Sequence, residues 1–205
     1  MTLTSLLHKK GFSLIEMSLF LVVLAAILIP ALNHSIAIRH QTEINASIER
    51  FTGLINKTML MRDYFTGNFA NTNTPDVLKY SGYDNSDIIS IAGNKLKANL
   101  GVNSYYSVTP YFVGGIPKGF IAKAAITDLD KCLSFSAMAK SASLYAEKVY
   151  MQAGAGALVK VWDINTGTDS FISGANAVCS TASTIHYVYV YINTMVSAGT
   201  VHGGI

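Results

Sequence analysis

Apolar residues are arranged along this chain in two different ways. From Phe12 to Leu32 they run almost without a break, and Glu16 is the only charge among them. Further on, Ile36, His40, Ile44, Ile48, Phe51, Ile55 and Met59 recur at spacings of three or four. Between them stand Arg39, Gln41, Glu43, Asn45, Glu49, Arg50 and Lys57. That spacing marks one face of an amphipathic helix. The pattern predicts one continuous helix from about Phe12 to Asp63, about 78 Å long at 1.5 Å per residue. Pro30 is expected to kink this helix without ending it, because the apolar pattern resumes beyond it. The first part, about 12–34, meets the ~20 apolar residues that a bilayer core requires.

Past Tyr64 the rhythm changes. Thr66 to Asp87 is rich in Gly, Asn, Thr, Asp and Pro and reads as loop, with a helical turn near Pro75–Tyr80. From Ser104 the signals are extended: SYYSVTPYFV, GFIAKAAI, LVKVW, FIS and IHYVYVYIN, parted by turn residues such as Val113-Gly114-Gly115-Ile116-Pro117. In the last of these, His186, Val188, Val190 and Ile192 share one face and Ile185, Tyr187, Tyr189 and Tyr191 the other. The aliphatic face suits burial, while the tyrosine face is free to meet solvent or a neighbouring molecule. The exception is DLDKCLSFSAMAKSASLYAEKV, where Leu129, Cys132, Leu133, Phe135, Ala139 and Leu144 fit a short helix capped by Thr127 or Asp128. The expected fold is therefore α+β: a long N-terminal helix, membrane-spanning and then amphipathic, carrying a head with an antiparallel sheet and a short helix. The segments are a leader at 1–11, the helix at 12–63 and the head at 64–205.

Composition narrows the chemistry. Charged residues make up 13% of the 205 residues, and the net charge is +3. Lys and Arg do not cluster as phosphate binding requires, so nucleic acid is not indicated. Cys132 and Cys179 belong to no CxxC or Cys/His metal spacing. In an oxidising compartment they would form one disulfide, and in a reducing one they would be two buried thiols. The five histidines, His8, His34, His40, His186 and His202, form no metal-ligand spacing and no triad motif. His186 reads as a core residue. Asp163-Ile164-Asn165-Thr166-Gly167-Thr168-Asp169 alternates oxygen ligands like a calcium loop, but Thr168 and Gly174 stand where that loop needs Gly and an acid. It reads better as a hairpin turn. Ala153-Gly154-Ala155-Gly156-Ala157 matches no phosphate-binding pattern. No catalytic residue, metal or cofactor is assigned, and the chain is not read as an enzyme.

The opening motif is more specific. Lys9-Lys10-Gly11-Phe12-Ser13-Leu14-Ile15-Glu16, followed by the apolar run, resembles the type III signal of prepilins. An ordinary secretory signal has no charge in its apolar core and is cut after that core. The resemblance implies cleavage by a prepilin peptidase between Gly11 and Phe12, and methylation of the new Phe12 amine. Cys132 in a short helix, Cys179 before a C-terminal strand and a head of this size are similar to type IVb pilins, especially the PilS-like group of thin conjugative pili. In that family the two cysteines bracket the functional C-terminal D-region, which implies a Cys132–Cys179 disulfide. The short leader and aromatic Phe12 are closer to type IVa pilins.

The physical logic of Glu16 agrees with that likeness. An acid at the centre of a membrane helix costs about 2.5–3.5 kcal/mol. A carboxylate that meets the cationic Phe12 amine of a neighbour is largely neutralised, and only in the correct register. Ala25, Ala26 and Ala31 would let helices approach closely. The expected function is thus a pilus subunit that polymerises with its own kind for adhesion, conjugation, aggregation or motility. The implied partners are the prepilin peptidase, the assembly platform and its ATPase. The implied location is the inner membrane for the precursor and an extracellular pilus afterwards. Two other readings stand beside it: a minor pilin or type II secretion pseudopilin, and a signal-anchored periplasmic binding domain or enzyme.

Overall fold

A computed structural model describes residues 14–194 except 66, 68, 92 and 141–145, without the side chains of 14–16, 30, 31, 33 and 36. The chain divides into two compact units, with the boundary between Gln41 and Thr42. Helix α1, Leu14–Leu60, contains that boundary and is helical through Pro30.

Among the described residues the second unit is built on one eight-stranded sheet. Its strands are β1 (Ile88–Ser90), β2 (Asn94–Lys97), β3 (Tyr105–Val113), β4 (Ile116–Ile126), β5 (Ala146–Ala153), β6 (Val159–Asp163), β7 (Thr168–Asp169) and β8 (His186–Asn193). All neighbours pair antiparallel, in the order β1-β2-β3-β4-β8-β5-β6-β7. Strand β8 therefore sits between two runs of sequential strands and joins them. Helices α2 (Thr74–Tyr80), α3 (Leu129–Ala139) and α4 (Phe171–Cys179), with a 3₁₀ turn at Asn85–Asp87, complete the unit.

Alternation decides which face of the sheet is buried. Tyr106, Ala124, Val188 and Met151 lie opposite one another across four strands, as do Val108, Ala122, Val190 and Val149, and all eight are buried. Ile44, Phe51, Leu54 and Ile55 of α1 complete this core. Phe51 meets Tyr106 at 5.3 Å and Phe135 of α3 at 5.6 Å between ring centres. The Tyr106 hydroxyl donates to the Ser47 carbonyl at 2.9 Å, so this deeply buried phenol has a partner. Lys131 reaches Glu43 at 2.6 Å, and Arg50 pairs with Asp87. Three glycines are required by the geometry. Gly114 and Gly115, at φ of 59° and 79°, turn the β3–β4 hairpin, and a Cβ on Gly119 would fall 2.0 Å from the Ile192 carbonyl oxygen across the β4–β8 pairing.

Several expectations need correction. The long N-terminal helix was expected to cross a membrane over about 12–34 and to carry a head at 64–205. Among the described residues no helix is long and apolar enough to cross a membrane. Residues 42–60 of α1 belong to the compact head and supply part of its core. The head also has more than one short helix. FIS, expected as a strand, opens α4, because Phe171, Ala175, Val178 and Cys179 recur at helical spacing and are all buried. AEKV, expected as the end of a helix, opens β5. Helix α3 ends at Ala139, and Leu144 lies outside the described residues.

Cys132 and Cys179 form a disulfide between α3 and α4, 47 residues apart in sequence. A cross-link over a loop of that length stabilises a fold by about 4 kcal/mol through the entropy of the unfolded chain. Replacing both cysteines with serine is expected to lower unfolding stability by roughly that amount, read from denaturant midpoints. A loss below about 1 kcal/mol would mean that the bond constrains little.

Candidate interaction surfaces

Two surfaces stand out, and each belongs to a single unit. The first is the α1 portion of the first unit. Leu19, Phe20, Leu21 and Val22 are consecutive and each more than half exposed, and Val23, Ile27, Leu28, Ile29 and Leu32 are exposed as well. Successive residues on a helix turn by about 100°, so four in a row present apolar side chains on every side. A helix apolar all round is stable only when something surrounds it.

The second surface is the outer face of the sheet. The residues that alternate with the core positions bring Tyr105, Lys123, Tyr150, Tyr187, Tyr189 and Tyr191 to this side of β3, β4, β8 and β5. Their rings interlock at an angle. Tyr187 meets Tyr189 at 6.0 Å and 50°, and Tyr150 meets Tyr191 at 5.2 Å and 58°. Lys123 Nζ lies 3.8 Å from the centre of the Tyr187 ring and 5.2 Å from that of Tyr189. The Tyr189 hydroxyl donates to Gln152 Oε1 at 2.7 Å.

Burial leaves its mark on these groups. It pushes the Tyr189 phenol up to about 12, with help from the neighbouring phenols of Tyr187 and Tyr191. Burial also raises Tyr105, Tyr111 and Tyr191. It lowers the Lys123 ammonium, with a smaller contribution from the charge of Lys95.

Gly11 and Phe12 lie outside the described residues, as do His8 and His202. Glu16 lies within α1, and its side chain is outside the description. Cys132 and Cys179 are brought together. His186 is buried on the inner face, with Nε2 3.1 Å from the Thr181 carbonyl oxygen. Asp163 and Asp169, at either end of the turn, are committed to lysines. Asp163 Oδ2 accepts from Lys160 at 3.2 Å and Asp169 Oδ2 from Lys140 at 2.8 Å, while Asp169 Oδ1 accepts from the Phe171 N–H at the start of α4. Burial pushes the Asp163 carboxyl up, but the Lys160 hydrogen bond and the Asn165 N–H outweigh it and hold the group below the usual carboxylate range. Among the described residues no group of three His, Cys, Asp or Glu side chains is placed to hold a metal.

The tyrosine face was only partly legible in the sequence. Alternation in IHYVYVYIN shows the β8 tyrosines, but their meeting with Tyr105, Lys123 and Tyr150 depends on cross-strand register. No protein-family model matches the chain, and no curated protein matches it in sequence.

A phenol raised by burial favours the fold as long as it stays neutral. That contribution is complete below the ordinary tyrosine value of 10.0 and is lost as pH climbs from there through the folded value, about 12 for Tyr189. Denaturant midpoints should therefore fall once pH passes about 10. In Tyr189→Phe the alkaline fall should be shallower. An equal fall in both chains would remove Tyr189 from this account.

Proposed function

We propose that this chain is a structural subunit of a type IV pilus-like surface filament, cut between Gly11 and Phe12 and assembled through the apolar helix of its first unit. The observation that carries this reading is the exposure of apolar side chains on every side of α1 between Leu19 and Leu32. A lone chain leaves that area in water, at a cost of about 25 cal/mol per Å². Packing the same helices side by side within a filament removes the cost, and a multi-subunit bundle surrounds each helix completely. KKGFSLIE, from Lys9 to Glu16, adds the processing step. Cutting before Phe12 creates an α-amine four residues from Glu16, and across two subunits these form the one charge pair an apolar bundle tolerates. A prepilin peptidase, an assembly platform and its ATPase are the partners this route requires. The task of the filament, adhesion, conjugation, aggregation or motility, rests with surfaces of the second unit.

The decisive experiment combines processing with assembly. The N-terminus of surface material sheared from cells should read Phe12-Ser13-Leu14. Glu16→Ala should be expressed and cut normally and yet be missing from the sheared fraction, a loss of at least tenfold. Normal filaments from Glu16→Ala, by electron microscopy, would sink the proposal. Leu21→Ala should reduce filament yield while shifting the stability of the unassembled chain by no more than about 0.5 kcal/mol, the usual range for exposed positions. Phe51→Ala, in the core, should cost about 3–5 kcal/mol.

A further inference from the structure

The outer face of the sheet has a charge imbalance that its tyrosines do not resolve. Lys97 stands opposite Tyr105 in the β2–β3 pairing, and Lys95, two positions along, lies on the same face of β2 because Leu96 between them is buried. Lys123 stands opposite Tyr189 in the β4–β8 pairing. Among the described residues none of these three lysines is in an ion pair. Elsewhere on the unit Lys131, Lys140, Lys148 and Lys160 each have a carboxylate within 4 Å, while among the described residues Lys57, Lys79 and Lys118 have none and do not gather on one sheet face. Like charges gathered on one surface repel, and an anion seated among them relieves the repulsion.

The tyrosines indicate what kind of anion. Ring faces are poorly available for stacking: the Lys123 ammonium occupies the face of Tyr187, and Tyr187 and Tyr189 are tilted at 50° to each other. Nucleobases stack on open aromatic faces, and this arrangement does not offer a row of them. It presents ring edges and phenol hydroxyls beside ammonium groups; the Tyr189 hydroxyl, which donates to Gln152, still offers its oxygen as an acceptor. A ligand with many hydroxyls, apolar C–H edges and a carboxylate matches all three. We propose that Lys95, Lys97 and Lys123, with Tyr105, Tyr187 and Tyr189, form a binding face for an acidic polysaccharide whose carboxylates meet the lysines and whose hydroxyls meet the phenols. The site lies wholly within the second unit and does not depend on polymerisation.

Calorimetry on the full chain in detergent tests this with four probes: a polygalacturonate oligosaccharide, its methyl ester, a sialylated oligosaccharide and an oligothymidylate. Binding of either acidic sugar is expected, with the methyl ester of polygalacturonate at least tenfold weaker than the free acid wherever the free acid binds. Affinity should fall as salt is raised. Lys97→Gln and Lys123→Gln should each weaken binding roughly three- to tenfold, with near-ultraviolet circular dichroism unchanged. Tyr187→Phe keeps the ring and should weaken binding by losing one hydroxyl. Failure of both acidic sugars to bind would overturn the proposal. Equal binding of acid and ester, oligothymidylate binding as tightly as the sugars, or unchanged affinity in both lysine variants would do the same.

Discussion

The second unit depends on the pairing of β8 with β4 on one side and β5 on the other. Without it there would be two smaller sheets, β1 to β4 and β5 to β7, each with a raw edge. With it, Val188, Val190 and Ile192 become the middle of one continuous apolar surface that runs from β3 to β5. The helices then have something broad enough to cover. Gly119 belongs to the same constraint, since the β4–β8 approach leaves no room for a side chain there. The strand also has two jobs at once: its even-numbered residues build the core, and its odd-numbered tyrosines build the outer face.

Apolar surface is used in two ways along α1. In residues 42–60 it is one stripe, Ile44, Phe51, Leu54 and Ile55, satisfied within the unit and flanked by polar anchors such as Tyr106 to Ser47 and Lys131 to Glu43. Between Leu19 and Leu32 it lies on every side of the helix and is exposed. One helix thus carries an apolar segment exposed all round and a stripe satisfied in a core.

Where local pattern determines structure, the sequence was readable. Extended segments between turn residues located β3, β4 and β6, period-two alternation located β8, and a cap at Thr127 or Asp128 with the run from Leu129 to Ala139 located α3. Two failures have a common cause. AEKVYMQA begins with good helix formers, and FIS with β-prone residues, so each element opens with the wrong propensity and is overruled by packing. The buried set of Phe171, Ala175, Val178 and Cys179 was the signal that marks α4. No local pattern shows that β8 enters between β4 and β5, so neither the sheet order nor the gathering of Lys95, Lys97 and Lys123 around Tyr105, Tyr187 and Tyr189 was readable. The half-buried lysine under two rings is a product of register alone.

The disulfide has a kinetic meaning beyond its stability. Cys179 ends α4, and β8 begins shortly after it, while Cys132 lies in the helix that follows β4. Once the sulfurs are joined, β8 is tethered beside the strand it must find. Its search is then confined to a small volume, at the effective concentration a short linker sets, in the millimolar range. Oxidation thereby turns the slowest kind of β pairing, between segments far apart in the chain, into a local one.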